Sequence, residues 1–498
     1  MARKKIVIVG SGLGGLLCAG LLSKNGYEVE VLEQHHQIGG NLQTFFRGGL
    51  EFDTGMHYFG CMAPGQVMYQ VLKYLGIMDR LHLAPLDSAG FDRIHIGSEI
   101  YPYAMGYEGF QKSLSAQFPN DVAAIERYVE LLKNNWDHNP MLNLRELSRE
   151  ASTSHGEFGL LASKVVEDLT QNKRLQAVLL ATNGLYAGHR EKTPFYVHAT
   201  IQSFFIQSAW RFESGGRQLP QLLQERITQQ GGTIRTRAKV VEFIHENSEV
   251  SAVLLENGER VVASAFISNL HPMTTHQLCK EKAYRRIAAE RLSHLENSCS
   301  SLTVHIVLHP RALIHDNCNH YLHSDDRVWT MGDEADKRPW PTGMMMYTTK
   351  SQLHTGYAES VTLISALDFS EVEIWEHTKL GQRPAEYKAF KQKNAELLLN
   401  LGQRVIPNLS ELIKSMAIAT PLTYRDYTNT PRGSMYGIVK DAHRPLETFL
   451  SPTTRLNNLL LTGQNINLHG MLGVTMTALV TCAYHTDINA MIRAIREA

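Results

Sequence analysis

The chain has 498 residues, 43% of them hydrophobic and 20% charged, and its 49 basic residues balance its 49 acidic ones. This composition is typical of a globular protein with more than one core, and it offers no basic surface that would favour a nucleic-acid partner. The six cysteines form no Cys-x-x-Cys pair, so they indicate neither a disulfide framework nor a zinc site, and they fit a reducing compartment.

The sequence shows no targeting signal and no metal-binding motif. Arg3-Lys4-Lys5 runs directly into a short apolar strand instead of a long hydrophobic region, and no stretch is long enough to span a bilayer. The 23 histidines include no His-Glu-x-x-His spacing. We therefore expect a cytoplasmic protein without a metal site.

The first forty residues predict a strand, a turn, a helix and a second strand. Residues 6–9 are apolar, residues 10–15 are Gly-Ser-Gly-Leu-Gly-Gly, and residues 16–25 have a helical pattern. Residues 28–33 form the second strand, which ends on an acidic residue. This order is typical of a Rossmann-type dinucleotide-binding unit.

Four residues of this unit have distinct predicted tasks. Gly10 makes the tight turn, Gly12 lets the backbone approach a pyrophosphate, and Gly15 lets the helix pack closely on the strand. The free N–H groups and positive dipole end of the helix face the phosphates. Glu33 is placed to accept a hydrogen bond from a ribose hydroxyl.

The middle of the chain is mostly helical. Residues 67–75 predict a helix, residues 91–103 a hairpin, and residues 109–133 and 145–190 a helical insertion that resembles a lid. Residues 194–212 are rich in aromatic side chains and predict a helix. That helix belongs to the core, lines an apolar tunnel, or does both.

The second half returns to strands. After a helix at 213–230, strands are predicted at 233–236, 239–244, 250–256, 260–263, 265–269, 299–309, 343–349 and 360–366. A helical pair at 370–405 follows. Near the C-terminus, an apolar strand leads through Thr462-Gly463-Gln464 to a second glycine-rich helix start after His469, with the helix running through Ile488.

These patterns predict an α/β fold with two discontinuous domains. A Rossmann-like nucleotide-binding domain is assembled from residues 1–75, 213–295 and 455–498. An α+β substrate-binding domain with a helical lid is assembled from residues 76–212 and 296–454.

Four stretches resemble the retinol saturase and carotenoid isomerase branch of the phytoene desaturase-like family, within the FAD-binding superfamily that also holds the amine oxidases. They are residues 52–58 (Phe-Asp-Thr-Gly-Met-His-Tyr), 214–218 (Ser-Gly-Gly-Arg-Gln), 420–437 and 462–464. Within the third, Pro-Arg-Gly-x-x-Tyr-Gly is the most particular to this branch. The resemblance spans nearly the whole chain.

The resemblance implies a tightly bound, non-covalent FAD, with NAD(P)H as a candidate electron donor. The second glycine pair, 39–40, would lie along the phosphate and ribityl chain, and Val240 would contact the adenine through its backbone. Cys61 and His57 leave covalent attachment open. The implied cofactor-binding residues are Gly10, Gly12, Leu13, Gly14, Gly15, Glu33, Gln34, Gly40, Asn41, Gly55, Met56, Val240, Gly463, Gln464, Met471 and Leu472.

The resemblance also implies that the enzyme saturates or isomerises a C=C bond of a long apolar conjugated polyene, carotenoid or retinoid in type. Flavin supplies the hydride chemistry, and the substrate needs an apolar tunnel with few polar groups. His57 and Tyr58 follow Gly55 in the segment that passes the isoalloxazine ring in this superfamily, so either could move a proton. Alternatively His57 only holds its loop, and Tyr436 and His469 are then the candidates.

Three other functions remain open. The first is desaturation of a carotenoid, and the second is oxidation or dehydrogenation of another apolar substrate, such as an amine or a sterol. The third is a lipid-binding chaperone resembling the Rab escort and GDP-dissociation-inhibitor proteins, which share the fold but use no flavin. The intact glycine turn and Glu33 argue against the chaperone.

A polyene dissolves only in lipid, so we expect the tunnel mouth to touch the inner face of a membrane without a spanning helix. The helical insertion of residues 105–210 is the predicted contact. Its cations could meet anionic head groups or simply face solvent: Arg127, Lys133, Lys164, Lys173 and Arg174.

Overall fold

The computed structural model describes residues 3–147, 158–213, 215–332 and 339–498. In these residues the α-helices are α1 (Leu13–Lys24), α2 (Val67–Tyr74), α3 (Tyr107–Gln117), α4 (Val122–His138), α5 (Ala162–Leu169), α6 (Lys173–Leu180), α7 (Phe195–Gln207), α8 (Gln218–Gln229), α9 (Pro272–Leu278), α10 (Arg286–Ser293), α11 (Ala385–Gly402), α12 (Pro421–Thr428), α13 (Pro445–Thr448), α14 (Gly470–Cys482) and α15 (Ile488–Arg496).

The strands in the same residues are β1 (Lys5–Val9), β2 (Glu28–Leu32), β3 (Thr44–Arg47), β4 (Leu50–Asp53), β5 (Phe59–Gly60), β6 (Leu83–Pro85), β7 (Asp92–Ile96), β8 (Glu99–Tyr103), β9 (Ala209–Phe212), β10 (Thr233–Arg235), β11 (Val240–Glu246), β12 (Glu249–Leu255), β13 (Arg260–Val262), β14 (Ala265–Ser268), β15 (Ser300–Leu308), β16 (Asn319–His323), β17 (Gly343–Lys350), β18 (Ala358–Leu367), β19 (Ile413–Ala419) and β20 (Leu459–Leu461).

The first strand lies at the centre of a five-stranded parallel sheet with the order β10-β2-β1-β14-β20. Its side chains are apolar on both faces because both faces are covered. Ile6 and Ile8 pack with α1, whereas Val7 and Val9 pack against the three-stranded sheet β11-β12-β13. The predicted strand, turn, helix and strand are therefore all present, and α1 begins at Leu13, three residues earlier than predicted.

The turn between β1 and α1 requires glycine at two positions. Gly10 has a φ of +94°, a conformation that side chains disfavour, and its N–H donates to the carbonyl of Leu32 at 2.8 Å. A Cβ at Gly15 would lie 2.1 Å from the carbonyl oxygen of Gly10. Only a glycine at that position lets the helix lie this close to the turn.

A second, seven-stranded sheet has the order β19-β15-β18-β17-β16-β7-β8 and is antiparallel except between β16 and β7. The side chains of β15 alternate as predicted, yet both faces are buried. Leu302, Val304 and Ile306 pack on α11, while His305 on the opposite face lies against the rings of Phe45 and Phe52.

The structure differs from the sequence-based prediction in several places, including the short strands β3, β4, β5 and β6, which were not expected. Residues 209–212 form β9, which pairs with β5 and β6, whereas a helix was expected there. Strands β16 and β19 were not predicted. The C-terminal helix is divided into α14 and α15. Residues 148–157 of the predicted lid and Ser214 lie outside the described residues.

The two-domain division stays a prediction. The five-stranded sheet draws its strands from the proposed nucleotide-binding segments, and the seven-stranded sheet draws its strands from the proposed substrate-binding segments. The small sheet β5-β9-β6 crosses the division, because β5 lies before residue 75 and the other two strands lie after it.

The close contact between α1 and the turn gives a stability prediction. We expect Gly15→Ala to lower the free energy of unfolding by about 1–3 kcal/mol, the usual cost of forcing an atom into filled space. The measurement is denaturant unfolding of the apoprotein. Gly109→Ala in α3 is the control, because its Cβ would meet only Ala104 at an ordinary 3.5 Å. Equal stability of the two variants would contradict the packing described for α1.

Candidate active site

A cavity of about 500 Å³ is lined by residues from both large sheets. At one end it meets the turn after β1, the end of β2 and the start of α14. At the other end it meets α7, β17 and β18. The two ends differ in chemistry, and each is built from a different part of the sequence.

Two helix N-termini open onto the first end. Gly12 precedes α1 and His469 precedes α14, and neither residue caps its helix with a side-chain hydrogen bond. Neither helix has an acidic residue in its first turn. Since residues from both first turns line the cavity, their free N–H groups and positive dipole ends are available to an anionic ligand.

The side chain of Asn269 lies between the start of α1 and the turn after β20. It follows β14, and a Cβ at Gly12 or Gly14 would lie 2.8 Å or 2.7 Å from its amide atoms. A Cβ at Gly463 would lie 2.5 Å from its Oδ1. Residues 12, 14 and 463 therefore must be glycine for this arrangement, and Asn269 itself lines the cavity.

Glu33 closes the second strand at the same end of the cavity. Its Oε2 accepts hydrogen bonds from the N–H of Ser11 at 2.9 Å and from the Ser11 hydroxyl at 2.6 Å. Its Oε1 accepts from the N–H of His35 at 2.8 Å. These bonds fix the carboxylate beside the glycine turn, and its remaining lone pairs can accept from a ribose hydroxyl.

The predicted cofactor-binding residues converge on this cavity. All of them line it except Gly15, which lies behind the turn and acts through packing, and Val240 is among the lining residues as expected. Their individual contacts with a cofactor stay predictions.

Among the four stretches that carry the family resemblance, residues 215–218 are the exception, because they do not line the cavity. They support its wall, since the N–H of Gly216 donates to Asp53 at 2.7 Å.

The other end of the cavity is apolar and aromatic. Its lining comes from the lid, from the seven-stranded sheet and from the loop before β17: Ala181, Leu185, Ile201, Phe204, Phe205, Val328, Trp329, Met344, Met345 and Ile364. Helix α7 is both a core helix and part of this wall, because Phe204 and Phe205 are buried and line the cavity.

The four predicted catalytic residues, His57, Tyr58, Tyr436 and His469, all line the cavity. The Nδ1 of His57 lies 2.9 Å from the hydroxyl of Tyr347, so its imidazole bonds a side chain of β17, and its catalytic role stays a prediction. The rings of Tyr436 and His469 lie 4.6 Å apart. The Nε2 of His469 is buried and has no hydrogen-bond partner among the described residues.

Burial keeps both histidines neutral. Burial, reinforced by the nearby Arg211 guanidinium, lowers the pKa of His57 to about 3. Burial and Lys440 lower the pKa of His469 to about 3 as well. At neutral pH each imidazole is therefore uncharged. It can donate or accept a hydrogen bond, but it does not carry the second ring proton that an imidazolium would give to a substrate.

Sequence reasoning missed several residues that complete the site. Asn269 was recognised only as a strand end, although the polar residue after a central parallel strand is a signal for a ligand site. The hydroxyl of Tyr58 bonds Asp92 and Tyr321, at 2.9 Å and 2.7 Å. Asp92 and Tyr321 lie in paired strands far apart in the chain, so no local pattern could reveal them.

The cysteine that left covalent flavin attachment open does not reach the cavity. Cys61 is fully buried, its Sγ lies 3.5 Å from the carbonyl of Phe204, and it is not among the cavity-lining residues. His57 does line the cavity, but its Nδ1 is engaged by Tyr347. This geometry favours the predicted non-covalent attachment.

A cluster of Asp316, Cys318 and His320 lies outside the cavity, with possible ligand atoms within 4.8 Å of one another. The Arg93 guanidinium forms an ion pair with the Asp316 carboxylate at 2.8 Å, so the negative charge of the cluster is already balanced by a side chain. His320 holds the same oxygen of Asp316 at 3.2 Å and also contacts His95 at 3.0 Å. These contacts describe a hydrogen-bonded cluster whose only carboxylate is already paired.

The glycine-lined end fits FAD. Two uncapped helix starts complement a diphosphate, Glu33 can accept from a ribose, and the buried Nε2 of His469 needs a partner that a polar cofactor can supply. Leu468 and Met471 to Val474 also line the cavity beside the second helix start, so these residues would contact the flavin part of the cofactor.

Glu33 gives a direct test of this end. We expect Glu33→Gln to weaken FAD binding by about 10-fold or more, because the amide can no longer accept from Ser11, His35 and a ribose hydroxyl together. Glu28→Gln in the same strand is the control, since Glu28 is exposed. Flavin fluorescence titration of the apoprotein gives both affinities. A Glu33→Gln protein that binds as tightly as the control would exclude this role.

Comparison with known proteins is consistent with these features. A family described as flavin containing amine oxidoreductase matches residues 13–372. The all-trans-retinol 13,14-reductase of Danio rerio is 28% identical to this chain and the alignment covers 96% of this chain and 84% of that protein. The prolycopene isomerase of Arabidopsis thaliana is 23% identical, with 92% of this chain and 78% of that protein covered.

The fold is also shared with solved structures. An oxidoreductase from Methanosarcina mazei superposes with a TM-score of 0.65 at 16% identity, covering 95% of this chain and 99% of that one. The predictions of an α/β FAD-binding fold and of an enzyme, rather than a lipid-binding chaperone, are confirmed. The family match covers more than half of the chain, so this protein belongs to the flavin-containing amine oxidoreductase family and is an FAD-dependent oxidoreductase similar to the retinol saturases and carotenoid isomerases.

Proposed function

We propose that this enzyme saturates a C=C bond of a long apolar conjugated polyene of the retinoid or carotenoid type. The observation that carries the proposal is the distribution of charge in the cavity. Among the described residues that line it, Glu33 and Lys239 are the only ones with a carboxylate, ammonium or guanidinium group. Both lie at the glycine-lined end, where the dinucleotide binds.

The uncharged far end disfavours an amine substrate. A cationic amine would need a carboxylate, because burying an unpaired charge is costly. The histidines that line the cavity cannot replace it, because an imidazole carries no negative charge in either its neutral or its protonated form. The aromatic and methionine side chains there suit a hydrocarbon chain.

The relatives support the same substrate class. One acts on all-trans-retinol and is named for reduction of its 13,14 bond, and another is named for isomerisation of prolycopene. We take saturation as the activity, with isomerisation as the second candidate because a protein of that name aligns with this chain over almost the same length. When bound, FAD supplies the hydride chemistry, and NAD(P)H is the proposed donor that reduces it.

We also propose peripheral membrane contact, made by apolar side chains of the predicted insertion and of α13 instead of by the predicted cations. None of the described helices combines the length and apolarity needed to cross a bilayer. Three of the five predicted cations are already paired with carboxylates: Arg127 with Glu130, Lys164 with Glu167, and Arg174 with both Glu99 and Asp326. They therefore have little charge left for lipid head groups.

A group of exposed apolar side chains is the better contact. Leu446 is 69% exposed and Phe449 is 43% exposed, both at α13, and Leu160 of the lid is 49% exposed. The ring of Phe158 links the two segments, with its centroid 6.2 Å from that of Phe449. Such side chains can enter the interfacial layer of a bilayer.

The substrate proposal predicts the outcome of an anaerobic assay. With NAD(P)H and all-trans-retinol, or with a longer carotenoid, we expect a product that has gained two hydrogens and absorbs at a shorter wavelength. Mass spectrometry and absorbance measure both. An isomerase would give an unchanged mass with a changed retention time. Oxidation of putrescine or benzylamine, with the polyenes untouched, would overturn the proposal.

The membrane proposal predicts a change in vesicle flotation. The wild type should float with liposomes, and Leu446→Glu combined with Phe449→Glu should shift most of the protein to the soluble fraction. Ile287→Glu is the matched control, because Ile287 in α10 is 80% exposed and lies outside this surface. Equal flotation of the double variant and the control would remove this surface from consideration.

A further inference from the structure

A chain of buried polar side chains connects the cavity to an acidic residue behind it. The hydroxyl of Tyr58 lies 2.7 Å from the hydroxyl of Tyr321 and 2.9 Å from Oδ2 of Asp92. The other carboxylate oxygen, Oδ1, accepts from the side-chain amide of Asn319 at 2.7 Å. Arg211 completes the chain by donating to Oδ1 of Asn319 at 2.5 Å.

Four distant segments build this hydrogen-bonded chain, since Arg211 belongs to β9. The parallel pairing of β7 with β16 places Asp92 directly opposite Asn319, and Tyr321 follows two residues later on the same face of the sheet. Tyr58 comes from the segment before β5, next to His57 and the glycine-rich loop. The seven-stranded sheet therefore holds Asp92, Asn319 and Tyr321, and Tyr58 reaches them from outside it.

Only the tyrosine end of the chain reaches the cavity. Tyr58 and Tyr321 line it, whereas Asp92 does not and is 1% exposed. The carboxyl group can therefore exchange a proton with the cavity only through the two hydroxyls. Burying a carboxyl group costs folding free energy, and titratable groups buried in this way are concentrated at functional sites.

The protonation state of Asp92 suits an acid. Burial raises its pKa to about 7, an effect that its bonds to Asn319 and Tyr58 and the charge of Arg211 only partly offset. It is thus the member of the chain that can hold a transferable proton at neutral pH. The titratable and charged groups that face it are Tyr58, Tyr321, Tyr103, Cys318 and Arg211.

We propose that Tyr321 is the residue that protonates the polyene, and that Tyr58 and Asp92 pass it a replacement proton. This inference rests on the proposed saturation activity. A saturated bond needs hydride on one carbon and a proton on the other. The hydride comes from the reduced flavin, which is reoxidised, and NAD(P)H restores its two electrons.

The proton balance follows the hydrogen bonds. The O–H bond of Tyr321 breaks as the new C–H bond forms. Tyr58 then gives its proton to Tyr321, and the carboxyl group of Asp92 gives its proton to Tyr58. Asp92 is left as a carboxylate, and before the next turnover it regains a proton by the same two hydroxyls, from water that enters the cavity after the product leaves. The two transfers within the protein, from Tyr58 to Tyr321 and from Asp92 to Tyr58, each move one proton along a contact of 2.7 Å or 2.9 Å.

The test separates this step from flavin reduction. The FAD-loaded protein is reduced with NAD(P)H or dithionite and mixed anaerobically with all-trans-retinol, and the return of the oxidised flavin absorbance is followed by stopped flow. Tyr321→Phe, Tyr58→Phe and Asp92→Asn are compared with Tyr128→Phe. Tyr128 is an equally buried tyrosine, bonded to His198 and absent from the cavity wall.

We expect Tyr321→Phe, Tyr58→Phe and Asp92→Asn to keep their FAD, and we expect their flavin to be reduced at the wild-type rate. Flavin reoxidation should slow by about 100-fold or more in Tyr321→Phe, the usual size of a general-acid contribution. In the wild type the rate should fall as pH rises through about 7, since Asp92 then loses the proton it supplies. Asp92→Asn should lose that pH dependence, and Tyr128→Phe should match the wild type.

The outcomes distinguish the two claims. Wild-type rates and an unchanged pH profile in Tyr321→Phe and Asp92→Asn would overturn the proton route and leave the substrate proposal standing. A wild-type protein whose reduced flavin is not reoxidised by all-trans-retinol or by a carotenoid would overturn the proposed function, and the proton route with it.

Discussion

The close approach of three chain segments around Asn269 is the constraint on which the site depends. The turn after β1, the end of β14 and the turn after β20 meet there, and no Cβ fits at Gly12, Gly14 or Gly463. Because these strands are neighbours in one parallel sheet, their carboxyl ends lie at the same edge. The meeting point aims two helix N-termini at a single cavity, and this edge is where open α/β sheets bind ligands.

The rest of the site follows from that geometry. The cofactor end is fixed by backbone groups and by Glu33, so it needs few charged side chains. The seven-stranded sheet supplies the other wall, and its apolar and methionine residues make the far end suited to a hydrocarbon. The polar side chains retained beside it include the hydrogen-bonded chain from Tyr58 to Asp92.

Local sequence patterns predicted one half of this arrangement well. The first forty residues carry a strand, a glycine turn, a helix and Glu33 within one continuous stretch, so spacing alone indicates the dinucleotide site. The second helix start after His469 could be recognised in the same way. Residues 209–212 were misread because a short aromatic strand that directly follows an apolar helix has no periodicity of its own.

The other half of the site depends on strand pairings between distant segments, which local sequence patterns do not predict. Asp92 lies in a hairpin that looked self-contained, yet β7 pairs in parallel with β16, more than two hundred residues later. Asn269 was visible as a strand end, but its contacts with Gly14 and Gly463 require the sheet order β1-β14-β20. Long-range register of this kind is fixed by the whole fold, not by local propensity.

The central claim is that one cavity holds FAD at its glycine-lined end and the polyene at its apolar end. A titration of the oxidised, FAD-loaded protein with a polyene that cannot be turned over without a reductant tests it most directly. The account predicts saturable binding of one equivalent, with a shift in the flavin absorption bands and no sensitivity to salt, since no charged pair is involved. Polyene binding that leaves the flavin spectrum unchanged, or that is equally tight in a Met345→Glu variant with normal FAD content, would contradict it.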